Sequence, residues 1–414
     1  MSLSTTPLRI LISGAGIAGP CLAYWLSRIP TPTTITLVER SPVPRPTGQA
    51  IDIRGPAVSV IRKMGLEDAV RANHTTEEGT RILNTAGKVI AEFGKGKTFT
   101  AEHEILRADL CSLLLDKTKN LGNVEYRYGD SVVALSQSST APTTVTFSSG
   151  LRETYDLVAA ADGISSNIRS MILDAKSLES SYTFLGQYAA YFSIPSRATD
   201  TKHWYFYNTT TGLGLMTRPH NNPNTVGVYL LVTETAREKT NPAIEKAMQE
   251  GPDSQKQVLR ELFEGAGWEA QRILEGMDTC TDFYMNRAAL VKLPVWHSGR
   301  TVLLGDAAFA MSGIGTSLAI QSAYQLAGEL SKIKSSDDVP QAIEEYARGI
   351  GPLYTKHAGL PHGVPQIAFP RSDWGMKVRD SLLWFVSATK FYKLLPEVNA
   401  GDEKDLAEYE WKES

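Results

Sequence analysis

Gly14-Ala15-Gly16-Ile17-Ala18-Gly19 follows a short run, 9–13, that reads as a buried strand, and it precedes an amphipathic run to Arg28. This spacing suits one task, holding a dinucleotide diphosphate. Gly14 permits a tight turn, Gly16 lets backbone approach a pyrophosphate, and Gly19 lets helix and strand pack closely. The N–H groups of Ile17 and Ala18 open the following helix, whose N-terminus carries about half a positive charge. A second strand, Thr34 to Val38, ends on Glu39, twenty positions after Gly19, with Arg40 next. A carboxylate there can accept hydrogen bonds from a ribose diol and disfavours a 2′-phosphate. FAD or NAD therefore fits better than NADP, and the spacing does not separate those two.

Two more strand ends point to the same crevice. Asp156 to Ala160 runs into Ala161-Asp162-Gly163, with Ser166 and Arg169 beyond. Val302 to Leu304 runs into Gly305-Asp306-Ala307-Ala308, before a helix beginning near Gly315. Strand C-termini of an open parallel sheet line its ligand crevice. Three strands thus deliver their glycines and aspartates to one edge.

The elements that must position these residues do not form one simple domain. At 414 residues the chain exceeds the length, roughly 250–300, at which a single core stops growing. Nucleotide-type α/β segments (1–75, 101–175 and 290–330) are interleaved with β-rich inserts (76–100 and 176–289), and a helical segment (331–414) follows. The inserts alternate aromatic and polar residues, as antiparallel strands do. The fold class is therefore α/β: a Rossmann-like dinucleotide-binding domain, an antiparallel β-sheet substrate domain and C-terminal helices. With 42% apolar residues, 21% charged and a net charge of −3, the chain shows no nucleic-acid footprint. Cys21, Cys111 and Cys280 form no CxxC pair, which speaks against a disulfide framework or a metal site and for a reducing, cytoplasmic setting. No signal peptide is read at the N-terminus. The apolar run Leu382 to Ala388 is too short to span a bilayer and reads as a docked helix, with a transient membrane contact through Trp384 and Phe385 as the alternative.

The three motifs in this order resemble those of the single-component (class A) FAD-dependent monooxygenases, which share the p-hydroxybenzoate hydroxylase-like fold. The resemblance spans roughly residues 8–330. It is closest to the tetracycline-modifying flavin monooxygenases and to a branch of fungal and bacterial secondary-metabolite enzymes. It implies that Glu39 binds the adenosine ribose of FAD, Arg107 the pyrophosphate region and Asp306 the ribityl chain. It links Asp162-Gly163 to FAD and NADPH, Asp52 to the flavin and Arg45 to NADPH. Gly315, Thr316 and Ser317 would sit at the flavin ring. FAD would be non-covalent, NADPH or NADH and O2 the co-substrates, a C4a-hydroperoxyflavin the oxidant, and a small aromatic or polycyclic compound the substrate. Tyr191, Tyr205, Tyr207, Met216 and Phe283 are candidate substrate-wall residues. No catalytic residue is assigned, and His203, His220 and His297 are read as structural or solvent-exposed. Two departures stand out: Phe309 replaces the family's usual histidine, and the loop Ala310 to Gly315 lacks its proline. Both are expected beside the flavin ring. A flavin oxidase, a non-redox cyclisation or rearrangement catalyst, and a small-molecule binding protein remain as rival readings. The oligomeric state is not legible.

Overall fold

Five strands rich in Ile, Leu and Val form a parallel array because helices cover both of its faces. In the computed structural model, which describes residues 6–44, 48–94, 102–138, 141–311, 313–357, 363–394 and 406–412, the array runs Thr301–Leu303, Leu157–Ala160, Leu8–Ser13, Thr33–Glu39, Val124–Tyr128. The antiparallel strand His297–Ser298 extends one edge. Helix Ala18–Leu26 is buried along its whole length. Helix Gly315–Leu330 packs with it in the same core.

The second layer is an eight-stranded sheet. Its order is Phe309–Ala310, Tyr284–Lys292, Tyr182–Pro195, Thr225–Thr233, Leu213–Pro219, His203–Asn208, Gly79–Leu83, Val89–Gly94. Strand periodicity gives it two faces. Tyr188, Ala190, Phe192 and Ile194 pack with Ile244, Leu259, Phe263 and Ile273, which belong to helices Pro242–Glu250, Pro252–Phe263 and Ala270–Thr279. Ala189 and Tyr191 point the other way, with Met216, Tyr229 and Leu231. A two-stranded ribbon, Ala50–Ile53 against His103–Leu106, stands beside this second face.

The two lobes share chain more intimately than the segment pattern predicts. Residues 76–100 do supply two strands of the large sheet, but Tyr284–Lys292 crosses the expected boundary at 289, and Phe309–Ala310 adds an edge strand from inside 290–330. The described residues of 331–414 pack onto the two lobes. Helix Val339–His357 buries Ile343, Tyr346, Ile350 and Tyr354 in the first core. Helix Asp373–Ala388 lays Leu383 and Val386 on Ile82, Ala91 and Phe93 of the second. Residues 406–412 return to the first lobe, where the Trp411 ring lies 4.6 Å from that of Trp25. Among the described residues no helix is long and apolar enough to cross a membrane. The Cys21 thiol is pushed up to about 12 by burial, which makes it an inert core group.

Phe309 helps line a cavity of about 130 Å³ with Leu290, Lys292, Ala310 and Met311, yet it is itself almost fully packed. Its ring is 3% exposed and stacks on Tyr354, with centroids 4.7 Å apart and planes 3° from parallel. The short strand Phe309–Ala310 pairs with Val291 and Lys292, and this pairing turns the side chain inward. Restoring the family histidine places a polar ring where Phe309 is surrounded by apolar groups. Phe309→His is therefore expected to cost about 1–3 kcal/mol of stability, read as a lower urea midpoint. An unchanged midpoint would show that the position tolerates polarity.

Candidate active site

The first motif adopts its shape because nothing larger than glycine fits. Gly14 has φ +109°, and an added Cβ would lie 2.4 Å from the Ala161 carbonyl oxygen. At Gly19 an added Cβ would lie 2.0 Å from the Gly14 carbonyl oxygen. Gly16 is different, since a Cβ there would meet nothing within 4 Å. It faces open space at the mouth of helix Ala18–Leu26. No side chain caps that mouth at Ile17, and no acidic residue stands in its first turn. This combination of an open cradle and unspent N–H donors fits a dinucleotide pyrophosphate.

Glu39 ends its strand beside the cradle. Its Oε2 accepts from the Ala15 N–H at 2.9 Å and its Oε1 from the Ser41 N–H at 2.9 Å. These two bonds pin the carboxylate beside the glycine loop. Arg40 is exposed. Arg45 lies outside the described residues.

The other two strand ends arrive at the same edge. Gly305 would bring a Cβ within 3.1 Å of the Ala18 Cβ, so the third motif rests directly on the first. Arg169 ties the second motif to the third: Nη1 donates to the Ala307 carbonyl at 3.1 Å and Nη2 to that of Ile164 at 2.6 Å. Asp162 spends Oδ2 on the N–H groups of Asn167 and Ile168, at 3.1 and 3.3 Å, starting the next helix, with Gly163 in the turn between. Its Oδ1 is buried without a partner. Burial pushes the Asp162 carboxyl up, against these hydrogen bonds.

Asp306 and Arg107 face each other across the site. Burial pushes the Asp306 carboxyl up, and the Arg107 guanidinium pulls it back. Burial also works against the charge of Arg107, and Asp306 leads the groups that outweigh it. Gly48 closes over this arginine, because a Cβ there would sit 2.6 Å from the Arg107 Cβ. Asp306 Oδ1 lies 3.2 Å from where a Gly315 Cβ would be, at the uncapped start of helix Gly315–Leu330. Thr316 is half-buried in that first turn. Ser317 is turned to another use, its Oγ accepting from the Arg54 N–H at 2.9 Å. Asp52 pairs with Arg54 at 2.7 Å, leaving its Oδ1 buried and without a partner. If Asp306 holds a ribityl hydroxyl, Asp306→Ala should weaken FAD binding by about 1.5–3 kcal/mol, roughly ten- to hundredfold, measured by flavin fluorescence on dilution. Unchanged affinity would remove Asp306 from the cofactor.

The large sheet meets this edge through an aromatic wall. Tyr191 stacks on Tyr284, centroids 4.9 Å apart, and meets Tyr229 edge-on at 5.0 Å. The Tyr284 hydroxyl donates to the Gln49 side-chain oxygen and accepts from the Gln49 N–H at 3.3 Å. A small cleft, with a volume of about 20 Å³, lies between Gly48-Gln49, these tyrosines and His220. Of the expected wall residues, Tyr191 lines this cleft and Met216 shares its face. Tyr205, Tyr207 and Phe283 are on the opposite face, packed under the helices. The Tyr207 hydroxyl donates to the Ala266 carbonyl at 3.0 Å, and Tyr205 accepts from Arg81 at 3.0 Å. Aromatic content alone selected these three. The alternation within Thr225–Thr233 is what separates Tyr229 from Val228 and Leu230. His220, expected to be structural or solvent-exposed, lines this cleft, and burial pushes it down to about 4. It is a neutral imidazole at ordinary pH.

Behind the wall is a buried ionic group that sequence spacing does not reveal. Arg218 Nε donates to Glu77 Oε2 at 2.7 Å, and Nη2 lies 2.8 Å from Glu104 Oε2. The Trp204 ring sits 4.0 Å from the guanidinium. Its three members come from residues 77, 104 and 218, so only folding assembles them.

Residues 8–352 match the family described as FAD binding domain. The flavin-dependent monooxygenase eupH of a Phoma species is 35% identical, over 98% of this chain and 97% of the relative. Monooxygenase CTB7 of Cercospora beticola is 32% identical over 99% of each. The crystal structure of tetracycline destructase Tet(51) superimposes with a TM-score of 0.73, at 28% identity and 95% coverage of both chains. With its dinucleotide cradle, shared topology and full-length relatives, the chain belongs to the FAD-binding-domain family of class A flavin-dependent monooxygenases.

Proposed function

We propose that the protein uses NADPH or NADH and O2 to insert one oxygen atom into an aromatic or polycyclic secondary metabolite. The observation that carries this reading is the aromatic wall of Tyr191, Tyr229 and Tyr284, which meets Gly48-Gln49 next to Arg107. Flat substrates pack well on such rings. The likeness to an enzyme named for destroying tetracycline supports a polycyclic substrate. Bound FAD supplies the redox chemistry, accepting hydride from NAD(P)H and activating O2.

The chain's own residues bind and orient. Gly16 and the N–H groups of Ile17 and Ala18 receive the pyrophosphate. Glu39 takes the ribose and Asp306 the ribityl chain. The N-terminus of helix Gly315–Leu330 favours negative charge on the reduced ring. Tyr191 and Tyr229 exclude water from the reacting face. His220, neutral, offers a hydrogen bond without adding charge. Three free thiols suit a cytoplasmic protein.

The test is turnover of candidate polycyclic substrates under 18O2. NAD(P)H consumption should rise with substrate, and the product should carry labelled oxygen. An unlabelled product overturns the reading in favour of a flavin oxidase, and turnover without NAD(P)H or O2 overturns it in favour of a non-redox catalyst.

A further inference from the structure

We propose that the outer face of helix Asp373–Ala388, together with the turn Phe391–Leu394, docks on the surface of an anionic lipid bilayer. This helix is apolar on two sides. Met376, Leu383 and Val386 share the side that faces the protein. Trp374, Val378, Leu382 and Phe385, spaced by four, four and three residues, share the opposite side. Those four are 76%, 49%, 59% and 54% exposed, and Trp384 beside them is 59% exposed. Eight of the fourteen large hydrophobics exposed among the described residues fall between 367 and 394. A patch this concentrated marks an interaction surface.

Charge decides the occupant. Residues 371–394 carry five basic side chains and two acidic ones, in a chain whose net charge is −3. Arg379 is paired with Asp380 at 2.6 Å, whereas Lys377, Lys390 and Lys393 are exposed. Helical spacing places Lys377 at the flank of this apolar face, between Trp374 and Trp384. Lysine is depleted at protein–protein interfaces. At a membrane its stem lies along the apolar zone while the ammonium reaches the phosphates. Tryptophan and phenylalanine facing outward, with lysines among them, are the composition of a helix lying in the headgroup layer.

The test is flotation of the full-length, FAD-loaded protein with vesicles of phosphatidylcholine alone or with about one-third phosphatidylserine. It should float with the anionic vesicles, less so at high salt. Lys377→Glu with Lys393→Glu should lower the bound fraction at least about tenfold, as should Trp374→Glu with Phe385→Glu. FAD content should be unchanged in both variants, since none of these residues touches the cofactor cradle. Equal binding to both vesicle types would overturn the proposal, as would binding that survives both variants. So would absence of flotation, including the case of a dimer by sedimentation velocity that Trp374→Glu with Phe385→Glu converts to monomer.

Discussion

Gly16→Val should yield a folded protein that has lost its flavin. The three glycines of the first motif are not equivalent. Side chains at Gly14 and Gly19 would strike backbone carbonyl oxygens at 2.4 and 2.0 Å, so substitution there disrupts the fold itself. A side chain at Gly16 strikes no protein atom, and its backbone is not among those with positive φ. The isopropyl group would fill the space left for the pyrophosphate and block the N–H groups of Ile17 and Ala18. Charge-assisted hydrogen bonds of about 1.5–3 kcal/mol each are lost, so FAD affinity should fall by at least about a hundredfold. The thermal midpoint of the apoprotein should match that of the flavin-stripped parent. A yellow Gly16→Val protein with parental affinity would mean that the cofactor does not cross the helix mouth.

Arg218→Met should be the most destabilising single change outside the glycines. It leaves Glu77 and Glu104, each 1% exposed, buried without their cation. Removing one partner of a buried ionic group costs about 3–5 kcal/mol. The loss should depend on pH, and its sign follows from Glu77. Burial, with Glu104 and Asp52 close by, pushes that carboxyl up to about 7 from its ordinary 4.5, against the pull of Arg218. A carboxyl raised in the folded state contributes stability below its unfolded value, and that contribution is lost as pH rises through the folded one. The parent should therefore weaken between about pH 4.5 and pH 7 from this group. Without Arg218 the Glu77 carboxyl favours protonation more strongly, so the deficit of the variant should be largest near pH 8 and smallest near pH 5. Urea midpoints at those two values measure it. A deficit independent of pH would show that the cost is lost packing on Trp204 rather than unpaired charge.

The cofactor half of the site was legible because it is local. A glycine loop between a strand and a helix, an acid at the end of the next strand, and Asp-Gly and Gly-Asp at later strand ends each declare themselves within a few residues. Parallel-sheet topology then forces their convergence. The sequence by itself determined the cradle, the FAD-type fold and the order of its segments. It did not determine which aromatic residues face the cofactor. Strand phase decides that, and phase depends on register between strands such as Tyr182–Pro195 and Thr225–Thr233, which pair only in the folded sheet. Thus Tyr191 reaches the cleft while Tyr205, Tyr207 and Phe283 support helices. Phe309 is a residue on a recognisable motif whose direction was set by pairing with Val291 and Lys292. The Glu77–Arg218–Glu104 group draws its members from three separate strands or loops. The inner and outer faces of helix Asp373–Ala388 are equally apolar in sequence, and only packing on Phe93 and its neighbours decides which one is left to solvent. Contacts between residues distant in the chain carry no spacing signal, so tertiary structure alone could assign them.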